Sequence, residues 1–543
     1  MARERNVAHL NIFLIKEEDR QHNQIIKEGI CDDPIEIPIS GGGKGQLYIK
    51  HIPGKRPRWS SIFEDVIDIK LIRKTSNVSA AFLIEIAERY FVLAFGQGGR
   101  FLIRDNVCEE RFGLLVALNS VDKESFRCID KQSLDTIESH TRIQSGYETS
   151  ADQFGLDVEQ DMLKAIVGAP KNQLLGHRMT GTDSLSVSVR MNLSDLPFLL
   201  KSYKEKFEQD LSATDYQWVN NISLVKNSSS VVLELNDKLL QKFADKDYSN
   251  LWLAIPEIIN WDYVKGFIYT NGRKEIYRDV NLEGFLATID NDNPITLELL
   301  KSRRVYCANE DHNPVFKSWP IHKCLYAEID HKGNKYILND SKWYKISENF
   351  VTKTNNDFGK ITKSSFMLPE YCGGGEGKYN ADVAERYPET FALLDDKNKI
   401  FHGGGHGQVE VCDLFSKDKQ LIHVKIYGKS KVFSHLFAQG FVSGQLLQLD
   451  ADFRLKVRDK LPEPFNGLIN VDKRPDEKEF TVVYSVISEA EGDDLYLPFF
   501  SRVNLNNTVK TLMGFGYNVE LMKINVNDRY AKTKICAPKK SKR

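Results

Sequence analysis

"HGGGHGQVEVCDLFSKDKQLIHVK", residues 402–425, passes from glycines into an alternating apolar run, turns, and brings a carboxylate and a lysine close together. Its two halves, "QVEVCDLF" and "QLIHVKIY", read as neighbouring strands, because branched and aromatic residues recur at every second position on either side of a polar turn. Two registers are open. A four-residue loop at 416–419 pairs Val411 with Val424 and Val409 with Ile426, which sets Glu410 opposite Lys425. A three-residue loop instead aligns Asp413 with His423. A bulge near Cys412 or Asp413 reconciles them by turning both carboxylates inward, and that is the expected arrangement. The plain alternative is an edge hairpin whose Glu410 and Lys425 form a cross-strand ion pair worth about 0.2–1 kcal/mol.

Around this hairpin the chain reads as an α/β domain. Upstream, "YCGGGEGKYN" offers three consecutive glycines as a joint, after which "KYNADVAERY" forms a short helix closed by Pro388. Downstream, the order is helix 377–387, strands "FALLDD", "QVEVCDLF" and "QLIHVKIY", helix "KVFSHLFAQGFVSGQLLQL", strand "FTVVYSVIS", helix "LNNTVKTLMGFG" and strand "NVELMKI". The final domain is therefore expected over 370–543, ending in the basic tail "KTKICAPKKSKR".

The remainder divides into two further regions, and the fold class expected for the whole is multidomain α+β. Residues 1–150 show strand-like runs such as "AHLNIFLI" and "FGLLVALNSV" broken by Gly, Asp and Asn, as in a mixed α/β domain. Residues 151–369 begin with helical spacing in "VEQDMLKAIVG", "LPFLLKSYKEKF" and "LNDKLLQKFA" and continue as an antiparallel meander over 300–350, a candidate recognition region. The meander's Trp319, Tyr326, Tyr336, Trp343 and Tyr344 are core residues or base-stacking platforms. The segment "PISGGGKGQ" at 38–46 lacks the Ser or Thr after GK that a phosphate loop requires, and it leads into a strand-like run.

Composition excludes several classes. With 41% hydrophobic and 27% charged residues, the 543-residue chain can bury two or three cores. A net charge of -1 neither requires nor forbids a polyanionic partner, so nucleic-acid contacts must come from local clusters. Between 415 and 460 nine Lys/Arg stand against four Asp/Glu. The eight cysteines contain no CxxC pair, which argues against a zinc framework or a secreted disulfide scaffold. A zinc site from His402, His406, Cys412 and His423 lacks closely spaced ligand pairs on rigid turns. No signal peptide or apolar run of about 18 residues is present, so a cytoplasmic protein without a membrane span is expected.

The order helix, three strands, helix, strand, together with Asp413, His423 and Lys425 in a D-x9-H-x-K array, resembles the PD-(D/E)XK restriction-endonuclease-like superfamily. That resemblance implies a phosphodiesterase that uses Mg²⁺ or Mn²⁺, with Asp413, Glu410 and His423 as metal-site residues and Lys425 as the charge stabiliser. His423 stands where the superfamily carries Asp or Glu. Gln439, one turn from His435 on the following helix, matches a Gln that many members aim at the metal. Glu376 or Glu385 would be the acid that many such folds carry on their first helix. The physics is direct: carboxylates on strands roughly 4.8 Å apart can share a hard cation, and alternation keeps i and i+2 on one face.

A second resemblance covers most of the chain. "FEDVIDIKLI", "YFVLAFGQGG", "RFGLLVALN", "DLFSKDKQLIHVKIYGKSKVFSHLFAQGFVSGQLL" and "YLPFFSRVNL" resemble a sporadically distributed bacterial family of unknown function from defence islands. It implies action against phage or other foreign nucleic acid, DNA in the first instance, with a protein partner from a defence system. The expected activity is metal-dependent nucleic-acid cleavage. The alternatives are a catalytically inactive module gripping DNA through Lys417, Lys419, Lys429, Lys431, Arg454, Lys456 and Arg458, or an interaction protein that binds no nucleic acid.

Overall fold

The computed structural model of the chain describes residues 6–19, 24–39, 43–105, 107–133, 139–159, 161–211, 214–226, 229–257, 259, 264–269, 275–289, 293–309, 314–394, 400–401, 408–427, 431–490, 492 and 494–527. Contacts divide the chain into two compact units, 1–132 with 140–220, and 133–139 with 221–543. None of the described helices is long and apolar enough to cross a membrane. The architecture is mixed α and β with several sheets.

In the first unit one ten-stranded sheet runs in the order Ile35–Pro38, Lys44–Lys55, Thr75–Ile86, Arg89–Phe95, Asn6–Leu14, Leu185–Met191, Arg178–Gly181, Asp161–Pro170, Val121–Ser133, Ser139–Thr149. The long run "AAFLIEIAERYFVLAFG" is two strands, because Ala87 and Glu88 both take positive φ and close a two-residue hairpin between Ile86 and Arg89. The helical spacing of "VEQDMLKAIVG" is overridden. Residues Asp161–Pro170 form a strand buried on both faces, paired through Ile166 with Gly181, and a ten-residue apolar run cannot by spacing alone be told from a helix. The expected boundary at 150 consequently falls inside a continuous sheet. Lys44 opens a strand and pairs with Glu36, so the glycine-rich segment before it does not lead into a phosphate-binding helix.

The second unit begins with the expected meander. Leu325–His331, Asn334–Asn339 and Lys342–Ile346 pair antiparallel, flanked by Ile222–Leu224 and Leu251–Leu253. Trp319, Tyr326, Tyr336, Trp343 and Tyr344 are all buried. They fill the core and offer no platform to a base.

The C-terminal part of this unit carries a six-stranded sheet, whose elements are numbered here along the chain: β1 Thr362–Lys363, α1 Glu376–Arg386, β2 Phe391–Leu393, β3 Leu414–Ser416, β4 Gln420–Ile426, α2 Lys431–Leu449, α3 Ala451–Lys460, β5 Thr481–Ser488, α4 Phe499–Gly514 and β6 Asn518–Asn525. The spatial order is β1-β6-β5-β4-β3-β2. β2, β3 and β4 are antiparallel neighbours, while β4, β5, β6 and β1 run parallel. Side chains alternate across the sheet: Ile422 and Val424 meet Tyr379 and Val383 of α1 in one core, and Leu421 meets Phe433, Leu436 and Phe437 of α2 in the other. α3, absent from the sequence reading, adds Phe453 and Val457 to that second core.

The glycine run forms a turn with positive φ. Gly373, Gly374 and Gly375 take φ values of 99°, 92° and 89°, a region open to glycine and strained for other residues, and Gly375 N–H donates to the Tyr371 hydroxyl. Nor does the domain start cleanly at 370. α4 begins after Pro498, which offers no capping side chain, and the buried Glu328 of the meander accepts the Phe499 N–H at 2.9 Å. The helix Glu348–Gly359 packs on α4 through Phe350 against Phe499 and through the Asn506 amide, which donates to Thr354 O.

A chain truncated to begin at 370 therefore loses the cap of α4, its packing helix and β1. Calorimetry should show a transition lowered by about 10 °C or more, or none, relative to a chain beginning at 221. Equal midpoints would show that the meander contributes nothing to the C-terminal core.

Candidate functional site

The hairpin adopts the shorter of its two loops. Leu414 pairs with Ile422 and Phe415 with Leu421, a register that aligns Asp413 with His423. The Ser416 hydroxyl accepts the N–H groups of Asp418 and Gln420, and Lys419 takes a φ of 58° to complete the turn. Before β3 the chain leaves strand geometry over residues 410–413, the expected irregularity, with a bend at Asp413.

That bend brings the Asp413 carboxylate alongside β4. Oδ2 accepts the Val424 N–H at 2.7 Å, and Oδ1 accepts the Asn380 amide of α1 at 3.1 Å. Two residues on, the Ile426 N–H donates to Glu376 Oε1 at 3.0 Å, while Glu376 Oε2 takes Lys425 Nζ at 2.7 Å. Glu410 accepts the Gln439 amide of α2 at 2.7 Å. Side chains from α1, the bend, β4 and α2 thus assemble around one lysine.

The electrostatics follow from this assembly. Burial opposes the charge on Lys425, but the Glu376 ion pair, reinforced by the charges of Asp413 and Glu410, raises its pKa above the ordinary lysine value. The ammonium is held protonated. The pair stays partly open to solvent, its side chains 18% and 30% exposed. Glu376 bonds Lys425 directly, and the charges of Asp413 and Glu410 also act on it. Their oxygens are of the kind that Mg²⁺ or Mn²⁺ prefers, and a carboxylate with about four lone-pair sites can accept two hydrogen bonds and still ligate. No three metal-capable side chains among the described residues converge on one point.

Asp413, Lys425, Glu410 and Gln439 are brought together; His423 is not available as a ligand. Its ring is 1% exposed, lies 6.0 Å from that of Tyr484, and has Nε2 buried without a hydrogen-bond partner. Burial first, and the Lys425 charge second, push its pKa down to about 3, so it is a neutral core residue. Of the two helix acids, Glu376 joins the cluster, whereas Glu385 is exposed toward the other end of α1. Asn380 was missed, although its place four residues after Glu376 puts it on the same helix face.

The basic set disperses. Arg454 is buried and donates to the carbonyls of Leu447 and Val471, fastening α3 to its neighbours. Lys419 pairs with Glu479 beside the Phe480 ring, Lys456 with Asp452 and Arg458 with Asp459. Lys417 is exposed and Lys431 is the first residue of α2. Lys429, His402 and His406 lie outside the described residues. Cys412, the thiol of the zinc alternative, is fully buried, which pushes its pKa well up.

Residues 10–525 match a family of unknown function, DUF6119, and with nearly the whole chain covered the protein belongs to that family. No curated protein and no solved structure matches it.

Two measurements check this assignment of roles. Glu376→Ala leaves the Lys425 ammonium and the Ile426 N–H unpaired, and should cost about 1–3 kcal/mol in denaturant unfolding; no loss would show that the pair is idle. His423 has a folded pKa near 3 against about 6.5 when unfolded, so below pH 6.5 the unfolded state takes the proton and stability falls until the pH approaches 3. His322, lowered to about 4, acts in the same direction. A His423→Leu variant should therefore lose less melting temperature than wild type between pH 6.5 and 4, and parallel profiles would contradict a buried neutral imidazole.

Proposed function

We propose that this protein cleaves phosphodiester bonds of foreign nucleic acid, DNA in the first instance, in a divalent-metal-dependent reaction at the Lys425 cluster. The observation that carries the reading is one protonated lysine among Glu376, Asp413 and Glu410, with Gln439 reaching in from the next helix. The succession α1, β2, β3, β4, α2 and then β5, with the short strands Ile400–Phe401 and Gln408–Val409 inserted before β3 and α3 inserted after α2, supports a restriction-endonuclease-like core. The likeness to a family met in defence islands supports phage or other invading nucleic acid as target.

In this mechanism Glu410 and Asp413 would hold Mg²⁺ or Mn²⁺, an ion that would supply Lewis-acid activation of water for attack on phosphorus. The remaining work belongs to the chain. Asn380 and the Val424 N–H lock the Asp413 carboxylate in one orientation, and Gln439 does the same for Glu410. Glu376 keeps Lys425 charged and fixed, so that its ammonium offsets the negative charge building on the phosphorane. His423 takes no part.

A second reading is favoured by the same histidine: with an imidazole in the core where the superfamily has an acid, the site is catalytically silent and only grips the phosphate backbone. Incubation of plasmid and single-stranded DNA with Mg²⁺ or Mn²⁺ separates the two. Cleavage should be seen with wild type and fall about 100-fold or more in Lys425→Ala, as for loss of a transition-state charge contact. Nucleic-acid affinity should change little, the salt slope by about 1. Binding without nicking in any divalent ion supports the silent module, and neither binding nor cleavage leaves a protein-interaction role.

A further inference from the structure

The three parallel strands β4, β5 and β6 end side by side at Ile426, Ser488 and Asn525, and beyond them lies a cavity of about 500 Å³ that Val526 helps to line. Open α/β sheets bind ligands outside the carboxyl ends of their strands, and this volume is within the range of small-ligand sites, about 300–1,000 Å³. Three tyrosines, Tyr371, Tyr427 and Tyr496, line it together with aliphatic walls and Glu489.

We propose that this cavity receives an unpaired nucleobase of the strand being cut, so that the substrate is single-stranded or locally unpaired nucleic acid. The inference rests on the phosphodiesterase reading for the identity of the ligand, but on separate residues. Its first support is position. Ile426 lines the cavity while its N–H is bonded to Glu376, and Lys425 immediately precedes it. On the other wall, the hydroxyl of Tyr371 holds the Gly375 N–H, one residue before Glu376. A phosphate at Lys425 thus has the cavity as its neighbour, where the base of an adjoining nucleotide would lie.

The second support is chemistry. Tyr427 and Tyr496, which keep part of their rings open, offer flat apolar faces for stacking that tolerate any base, while Tyr371, buried in the core, serves only as wall. The ring positions are set by their surroundings: Tyr371 meets Tyr379 edge-on, Tyr427 meets Phe433, and the Tyr496 hydroxyl accepts the Asn250 amide. Burial, followed by the charges of Tyr496, Glu328 and Asp247, pushes the Tyr427 hydroxyl up to about 12, so it stays neutral and able to donate. Glu489 decides which part of a nucleotide enters. A carboxylate repels phosphate and accepts from an exocyclic amino group, so the cavity suits a base carrying one, cytosine, adenine or guanine, over thymine or uracil, and leaves the phosphate at Lys425.

The test uses the full chain carrying Lys425→Ala, so that no probe is cut, with oligonucleotides containing a fluorescent aminopurine. Quenching on binding should be stronger for single strands than for duplexes. Tyr496→Ala, which alters a half-exposed side chain, and Ala490→Trp, which narrows the mouth without removing a tyrosine, should each weaken single-strand binding about 10-fold. Equal quenching of single strands and duplexes, or variants that bind as well as the parent, overturns the cavity while leaving cleavage at Lys425 intact. Conversely, quenching of free aminopurine riboside that both variants abolish, when the chain with Lys425 intact also cuts nothing in any divalent ion, sustains the cavity and refutes the phosphodiesterase reading.

Discussion

Strand β4 has two neighbours of unequal length, and the site depends on that mismatch. β5 pairs with it along all of Gln420–Ile426, whereas β3 reaches only Leu421 and Ile422. On the β3 side the outer half of β4 still presents the N–H groups of Val424 and Ile426, and a buried backbone donor without an acceptor is costly. Carboxylates from outside the ladder take both, Asp413 from the bend and Glu376 from the start of α1. Lys425 sits between those donors in sequence, and its side chain finds the second oxygen of Glu376. Completing a sheet edge and gathering charge around a lysine are therefore one construction.

A comparable demand ties the meander to the C-terminal sheet. α4 needs an acceptor at its first turn and follows a proline that has none to give, so Glu328 is drawn from another sheet into a buried position. Burial raises the pKa of this carboxyl, and the Lys335 charge with the N–H groups of Phe499 and Phe500 partly offset that cost. The meander and Glu348–Gly359 are consequently tied to α4 by the Glu328–Phe499, Phe350–Phe499 and Asn506–Thr354 contacts, and the long chain between the first sheet and α1 is more than a recognition appendage.

How much of this was legible in the sequence depends on whether local or distant groups set each feature. The helices at α1 and α2, the strands β4, β5 and β6, and the meander follow from periodicity, which is local. The grouping of Glu410, Asp413, Lys425 and Gln439 was also legible, because strand alternation and a single bend fix it. The strand at Asp161–Pro170 was not, since sheet neighbours on both sides bury it and outweigh its helix-like spacing. The turn at the three glycines was not legible either, since its contacts come from Tyr371, whose hydroxyl accepts the Gly375 N–H and whose backbone bridges to Val526. Arg454 looked like a phosphate contact from its basic neighbours, yet the carbonyl groups at the end of α2 and at Val471 claim it.

The histidine at 423 is the clearest case of position overruling residue type. Two residues before Lys425 on one strand face, it should share the lysine's surroundings, but the sheet divides that face by depth: Lys425 lies one residue from the strand end and reaches the α1 turn, while His423 lies beneath α2 against Tyr484. A carboxylate there would be an ion in a water-free core, at a cost of several kcal/mol without a partner. A neutral imidazole meets a smaller cost, and still leaves Nε2 unbonded. The acid beside the lysine comes instead from α1, as Glu376, where the edge of β4 already required an acceptor. Position 423 is thus committed to the core, and the carboxylate paired with Lys425 comes from a helix residue 47 positions before His423.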